Sequence, residues 1–346
     1  MVTETVKING GNGESMSTSE RVKWIDYSKG IGILLVVIAH GLAKDNLINI
    51  YSYSFHLPLF FLISGITLKE DRMLKDSFIN IIIRNAKSIL LPYYFYAMFI
   101  VAIELLKNVL QHDMTIESTI DILTRWIFMR GLKADWFLPC LFFSKIIFVG
   151  IYRMIKNRIA SIIIVLALAM LVICIPAHPM VLRPIICAGI GSFFVGVGHT
   201  LRDIHSKLNF KIYIPFFIIW CITTMVNGKV SLLIYEFGVN GCLYLINGIL
   251  GSIVVIGFTK YIEKMSKEVH LLEWLGKNSM IIMVVHMEIM AFVNAIITKV
   301  PIISNNVFLL KIILIGITLI ASVVITPIVD KIYKIIFIQK RYSGGN

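Results

Sequence analysis

Apolar residues in this chain do not scatter. They run in blocks of roughly 15–22, long enough to cross or nearly cross a hydrocarbon core about 30 Å thick. Blocks of that length read as membrane helices, and the rest of the chain agrees. Hydrophobic residues make up 58% and charged residues 15%, with a mean hydropathy of +0.84, where a soluble domain carries about 25% charged residues. These figures exclude a soluble enzyme, a nucleic-acid-binding domain and a disordered chain. The fold class expected is all-α, a polytopic membrane helix bundle.

Ten segments are expected, approximately over 26–43, 52–68, 88–106, 135–152, 159–176, 181–200, 211–227, 240–258, 275–297 and 307–330. The alternation of charge with Ile81, Ile82 and Ile83 makes 71–87 an amphipathic helix in the interface, and 116–132 reads as a second interfacial or a re-entrant piece. Orientation follows from the basic residues. Of 33 Lys and Arg, 22 fall in the stretches that are inner if the N-terminus is inside and 8 in the outer ones, while Lys29, Lys145 and Lys311 lie within apolar segments. The excess of basic residues on cytoplasmic loops then places both termini in the cytoplasm of a multi-pass cell-membrane protein. The membrane domain is expected over 22–338, between solvated cytoplasmic tails at 1–21 and 339–346, with no cleaved signal peptide. The five cysteines all lie in or beside apolar segments and read as small buried hydrophobes.

An ionisable side chain inside a bilayer is costly, so each one poses a functional question. The first segment holds Asp26, Lys29 and His40. At about 100° per residue, Lys29 and His40 fall roughly 20° apart and Asp26 joins the same stripe. The competing reading makes Asp26 a helix cap and Lys29 a snorkelling residue. The second segment carries His56 near its outer boundary, with Pro58 expected in its first turn, and Ser64-Gly65 admitting a close neighbour helix. His286 is a third intramembrane histidine. Glu288, two residues on, faces away from it. Read alone, His56 is an interfacial histidine beside a capping proline and His286 a hydrogen-bonded core residue, whereas His40 sits under the outer leaflet on the polar stripe. Three in the outer half point instead to proton transfer, which imidazole performs near neutral pH.

Arg84 and Lys87 form part of a basic rim that suits anionic lipid or a phosphorylated cosubstrate such as coenzyme A. On the outer side Arg125, Arg130 and Lys133 precede Trp136, cations beside aromatics that suit a lipid diphosphate, a sugar acceptor or an aromatic belt. There is no phosphate-loop, zinc-helix or nucleophile-elbow motif and no metal-spaced cysteine pair. A proton-coupled transporter or exporter of a glycan or acyl intermediate uses the same intramembrane histidines, although no internal repeat is visible.

Beginning at Trp24-Ile25-Asp26 and Lys29-Gly30 through His40, then Phe55-His56-Leu57-Pro58-Leu59-Phe60-Phe61-Leu62-Ile63-Ser64-Gly65, the sequence resembles the acyltransferase 3 family of bacterial integral membrane proteins, in its fucose 4-O-acetylase-like branch. Arg84 through Leu91-Pro92-Tyr93, Trp136-Phe137-Leu138-Pro139, and Leu275-Gly276-Lys277-Asn278-Ser279 before His286 extend the likeness over roughly 22–335. Many members carry arginine, ten residues, then histidine in the first helix. Here the spacing is kept and Lys29 replaces the arginine, offering a point charge in place of a planar fork. The resemblance implies O-acetyl transfer from cytoplasmic acetyl-CoA to a hydroxyl of a cell-envelope glycan, such as capsule, exopolysaccharide or a lipid-linked sugar, in the bacterial inner membrane. Under it, His40, His56 and His286 become catalytic candidates, Lys29, Arg84 and Lys87 hold the acyl-CoA, and Arg125, Arg130 and Trp136 meet the acceptor. No metal and no nucleic acid is implied; membrane lipids are the surrounding partner.

Overall fold

All ten expected segments fold as helices. The computed structural model describes residues 22–42, 46–175, 182–204, 210–265 and 268–337; the tails expected at 1–21 and 339–346 lie outside them. In chain order the helices are α1 (Lys23–Gly41), α2 (Leu47–Ile66), α3 (Glu70–Lys75), α4 (Phe78–Asn85), α5 (Leu91–Leu110), α6 (Ile116–Ile127), α7 (Phe137–Ile155), α8 (Arg158–Cys174), α9 (Arg183–Ile204), α10 (Phe210–Asn227), α11 (Gly241–Lys264), α12 (His270–Lys277), α13 (Ser279–Ile297), α14 (Pro301–Ser304) and α15 (Val307–Phe337). A two-residue hairpin of β1 (Val230–Ser231) and β2 (Glu236–Phe237) joins α10 to α11.

Among the described residues, seven helical stretches are long and apolar enough to cross a membrane, which makes this a multi-pass membrane protein: Leu47–Ile66, Phe78–Leu110, Ala134–Ile155, Arg183–Arg202, Gly241–Lys264, Ser279–Ile297 and Val307–Phe337. The other three expected segments are α1, which carries Lys23, Asp26 and Lys29 near its start, and the apolar but shorter α8 and α10.

Three boundaries differ from the sequence reading, each for a local reason. Helix α2 starts at Leu47, because Asn46 caps it by accepting from the Asn49 N–H at 3.0 Å. Pro58 therefore lies inside the helix, not in its first turn, and His56 stands nine residues into it, about 13 Å along the axis. The amphipathic piece at 71–87 is not one helix: it divides into α3 and α4, and α4 continues through a π-helical turn at Ala86–Leu90 into α5. That wider turn comes just before Pro92, whose ring nitrogen can donate no hydrogen bond to the turn behind it. Last, the segment at 275–297 breaks at Asn278 into α12 and α13.

Close packing needs small residues where lipid supplies no hydrophobic drive between helices. A Cβ on Gly65 would sit 2.0 Å from the Val195 carbonyl oxygen, so α2 and α9 cross backbone to backbone. Likewise a Cβ on Gly276 would meet the Asp26 carbonyl oxygen at 1.8 Å, which draws α12 against the first turn of α1. Several buried hydroxyls are satisfied by reaching back one turn, as Ser144 does to Cys140 (2.7 Å) and Ser252 to Gly248 (2.6 Å).

Candidate active site

Helices α1 and α13 run side by side, and their polar stripes meet at His40 and His286. His40 Nδ1 lies 2.8 Å from His286 Nε2. The rings are 4° from parallel with centroids 5.0 Å apart, the geometry of an end-on, in-plane hydrogen bond. The protons on this pair can be assigned from the acceptors. His286 Nδ1 lies 2.8 Å from the Ile282 carbonyl oxygen, which only accepts, so Nδ1 carries the hydrogen. Neutral His286 then offers a lone pair at Nε2, and His40 donates to it from Nδ1. The remaining nitrogen of neutral His40, Nε2, holds a lone pair. His286 is fully buried while His40 lines a cavity of about 430 Å³. His56, 3% exposed, lines the same cavity and uses the same local device, its Nδ1 donating to the Ser52 carbonyl at 2.6 Å. Tyr53 stands between them, edge-on to His40 at 6.3 Å and to His56 at 5.1 Å.

A second cavity, of about 290 Å³, lies farther along the same helices. On α1 it takes Lys29 where the first takes Val36 and His40; on α2, Phe60 to Thr67 where the first takes His56 and Leu57; on α7, Leu138, Leu141 and Lys145; and on α13, Ser279 and Met280 where the first takes Met287. The two spaces are thus stacked along the bundle, a histidine chamber at the far end of α1 and a lysine chamber nearer its start. Lys29, Lys145 and Lys277 line the lysine chamber with no carboxylate among its lining residues.

A family model for an acyltransferase domain, that of acyltransferase 3, matches residues 22–327. The chain belongs to the acyltransferase 3 family. No curated protein and no solved structure matches it. The acyltransferase 3 domain covers every element from α1 into α15, so both chambers fall inside it. It makes the chain a membrane acyltransferase, which requires room for an acyl donor and an acceptor.

Within this acyltransferase 3 bundle the structure gathers some of the candidate residues and leaves others apart. His40, His56 and Trp136 share the histidine chamber, with His286 directly behind His40. Lys29 lines the lysine chamber. Arg84 and Lys87 line neither chamber: Arg84 pairs with Asp76 at 2.6 Å, within electrostatic range of Lys145, and Lys87 is exposed. Arg125 pairs with Asp121 along α6 at 2.6 Å, and neither it nor Arg130 reaches the histidine chamber. Lys133 does, held in a loop that buried Asp135 pins by accepting the backbone N–H groups of Leu132 (2.9 Å) and Lys133 (2.8 Å). Glu288 faces away from His286, as its place on the helix requires, and binds Lys107 of α5 at 2.7 Å. Among the described residues no group of His, Cys, Asp and Glu is arranged to hold a metal ion.

Two parts of this candidate site escaped the sequence reading. Lys145 carried a usable signal, a cation inside an apolar segment. The β1–β2 hairpin carried little, because Leu232-Leu233-Ile234 reads as ordinary apolar sequence. In the structure it walls the histidine chamber and adds Lys229 and Glu236 to the lining. It is clasped at its base by Asn227, whose side chain donates to the Phe237 carbonyl (3.0 Å) and accepts from the Asn240 N–H (2.9 Å).

Proposed function

We propose that this acyltransferase is an O-acetyltransferase of the bacterial cell membrane, moving acetyl from cytoplasmic acetyl-CoA to a hydroxyl of an envelope glycan. The observation that carries the reading is the His40–His286 pair, which leaves a lone pair on Nε2 of a histidine that lines the cavity, with its tautomer fixed from behind. Both termini are taken as cytoplasmic, so the lysine chamber faces the donor side and the histidine chamber the acceptor side.

In this reading the phosphates of CoA meet Lys29 and Lys145, with Arg84 and Lys87 on the rim outside. The acceptor sugar enters the histidine chamber against Trp136 and Tyr53, whose ring faces suit the apolar face of a pyranose, while Lys133, Lys229 and Glu236 supply polar contacts. His40 Nε2 takes the proton of the acceptor hydroxyl as its oxygen attacks the thioester carbonyl carbon. The C–S bond breaks, the new C–O bond remains, and the departing thiolate recovers the proton from His40. His286 accepts from His40 Nδ1 throughout and steadies the transient imidazolium. His56 supplies a second ring nitrogen to the acceptor. Transport is the alternative, and the same experiment separates it.

The test is transfer of radiolabelled acetyl from acetyl-CoA in membranes, wild type against His40→Ala at matched expression. Label entering envelope glycan only with the wild type is expected. Equal label from both would remove His40 from the chemistry. No label from either, with envelope acetylation still lost on deleting the gene, would favour a transporter that feeds another enzyme.

A further inference from the structure

The two chambers touch at two side chains. Phe137 and Met283 line both cavities, and each is only 3% exposed. Their places in the sequence explain why. Trp136, the residue just before α7, belongs to the histidine chamber and Leu138 to the lysine chamber, with Phe137 between them. On α13, Met280 lines the lysine chamber and Met287 the histidine chamber, with Met283 between them and one turn from His286. Phe137 and Met283 thus stand where the two spaces meet.

The two side chains differ in freedom. Phe137 is wedged among rings, with centroids 5.8 Å from Phe60, 5.1 Å from Phe61 and 6.5 Å from Trp136. Met283 is unbranched, with three rotatable side-chain bonds and a polarizable sulfur, the side chain best able to swing aside and return.

We propose that Met283, closing against a fixed Phe137, is the partition between the donor and acceptor chambers and sets the length of acyl group that crosses. This rests on the acyltransfer reading above. The partition yields to a two-carbon acyl group, excludes longer ones, and keeps water on the donor side from the activated thioester. If water does take the acceptor's place, its oxygen attacks the same carbonyl carbon, the C–S bond breaks, and a free carboxylic acid and CoA thiol result.

Met283→Ala removes Cγ, Sδ and Cε and clears room for the two extra carbons of a butyryl group. One methylene in an apolar pocket discriminates on the order of tenfold or more. In membranes carrying the native acceptor, the ratio of butyryl to acetyl transfer is therefore expected to rise on the order of tenfold in Met283→Ala. With purified protein and no acceptor, release of CoA thiol from acetyl-CoA is expected to rise as well. Met283→Phe, the reverse change, is expected to cut transfer of both acyl groups, with thermal unfolding in detergent confirming that each variant folds. Wild-type transfer with an unchanged butyryl-to-acetyl ratio and unchanged thiol release in a folded Met283→Ala would overturn the partition alone. No acyl transfer by the wild type would overturn the underlying reading and this proposal with it.

Discussion

His40 was legible in the sequence because an imidazole inside an apolar segment, eleven residues from a lysine on the same stripe, has no ordinary structural reason to be there. The sequence could not say which partner orients it, since that depends on how α13 is rotated against α1. The structure puts His286 in that place at 2.8 Å, with the Ile282 carbonyl deciding where its hydrogen sits. This yields a prediction at the level of one atom. His286→Ala leaves His40 free to take the wrong tautomer, and acetyl transfer is expected to fall on the order of a hundredfold with the KM for acetyl-CoA unchanged. His286→Gln, whose amide oxygen accepts from His40 Nδ1, is expected to recover part of the loss. If the glutamine and alanine variants fell equally, a positioning role for His286 would be wrong.

Among the elements, the long apolar helices were readable because each needs only its own composition, whereas their joints were not. Pro58 sits mid-helix since Asn46 starts α2 earlier than the apolar run implies, and the hairpin rests on two residues per strand, too few for any alternation to register. Glu70 ties α3 to α7 and α8 at one such joint, accepting hydrogen bonds from the Tyr152 hydroxyl and the Arg158 guanidinium. Those two contacts, the tyrosine first, hold the Glu70 carboxyl below its ordinary value. A carboxyl lowered in the folded state stabilises at pH values above its unfolded value, and that contribution disappears as pH falls through the folded one. The carboxylate is 35% exposed, so solvent screening brings the effect down to about 1 kcal/mol. Glu70→Gln is therefore expected to unfold at lower temperature than wild type at pH 7 and at nearly the same temperature once the pH is low enough to protonate Glu70 in the folded protein. A constant difference across that range would count against the clamp.

For the whole molecule, the bundle and its family were legible from the spacing of apolar blocks and a few motifs, while the stacking of two chambers was not. Lys29 and His40 reveal it only when α2, α7 and α13 are set beside α1, a matter of packing between segments distant in sequence. The orientation proposed for the bundle is open to direct measurement. With exposed Cys174 and Cys242 replaced by serine, Asn305→Cys is expected to react with an impermeant thiol reagent on intact cells, and Lys156→Cys only after the membrane is opened. The reverse pattern would invert the bundle and exchange the sides assigned to donor and acceptor. One consequence of α1 itself remains. Lys29 and His40 ride on a single uninterrupted helix, so pitch fixes them about 16 Å apart along its axis. When the bundle breathes, the two move as one body, and the helix acts as a measuring rod: a donor gripped at its charged end presents its reactive end at one height, however the neighbouring helices shift.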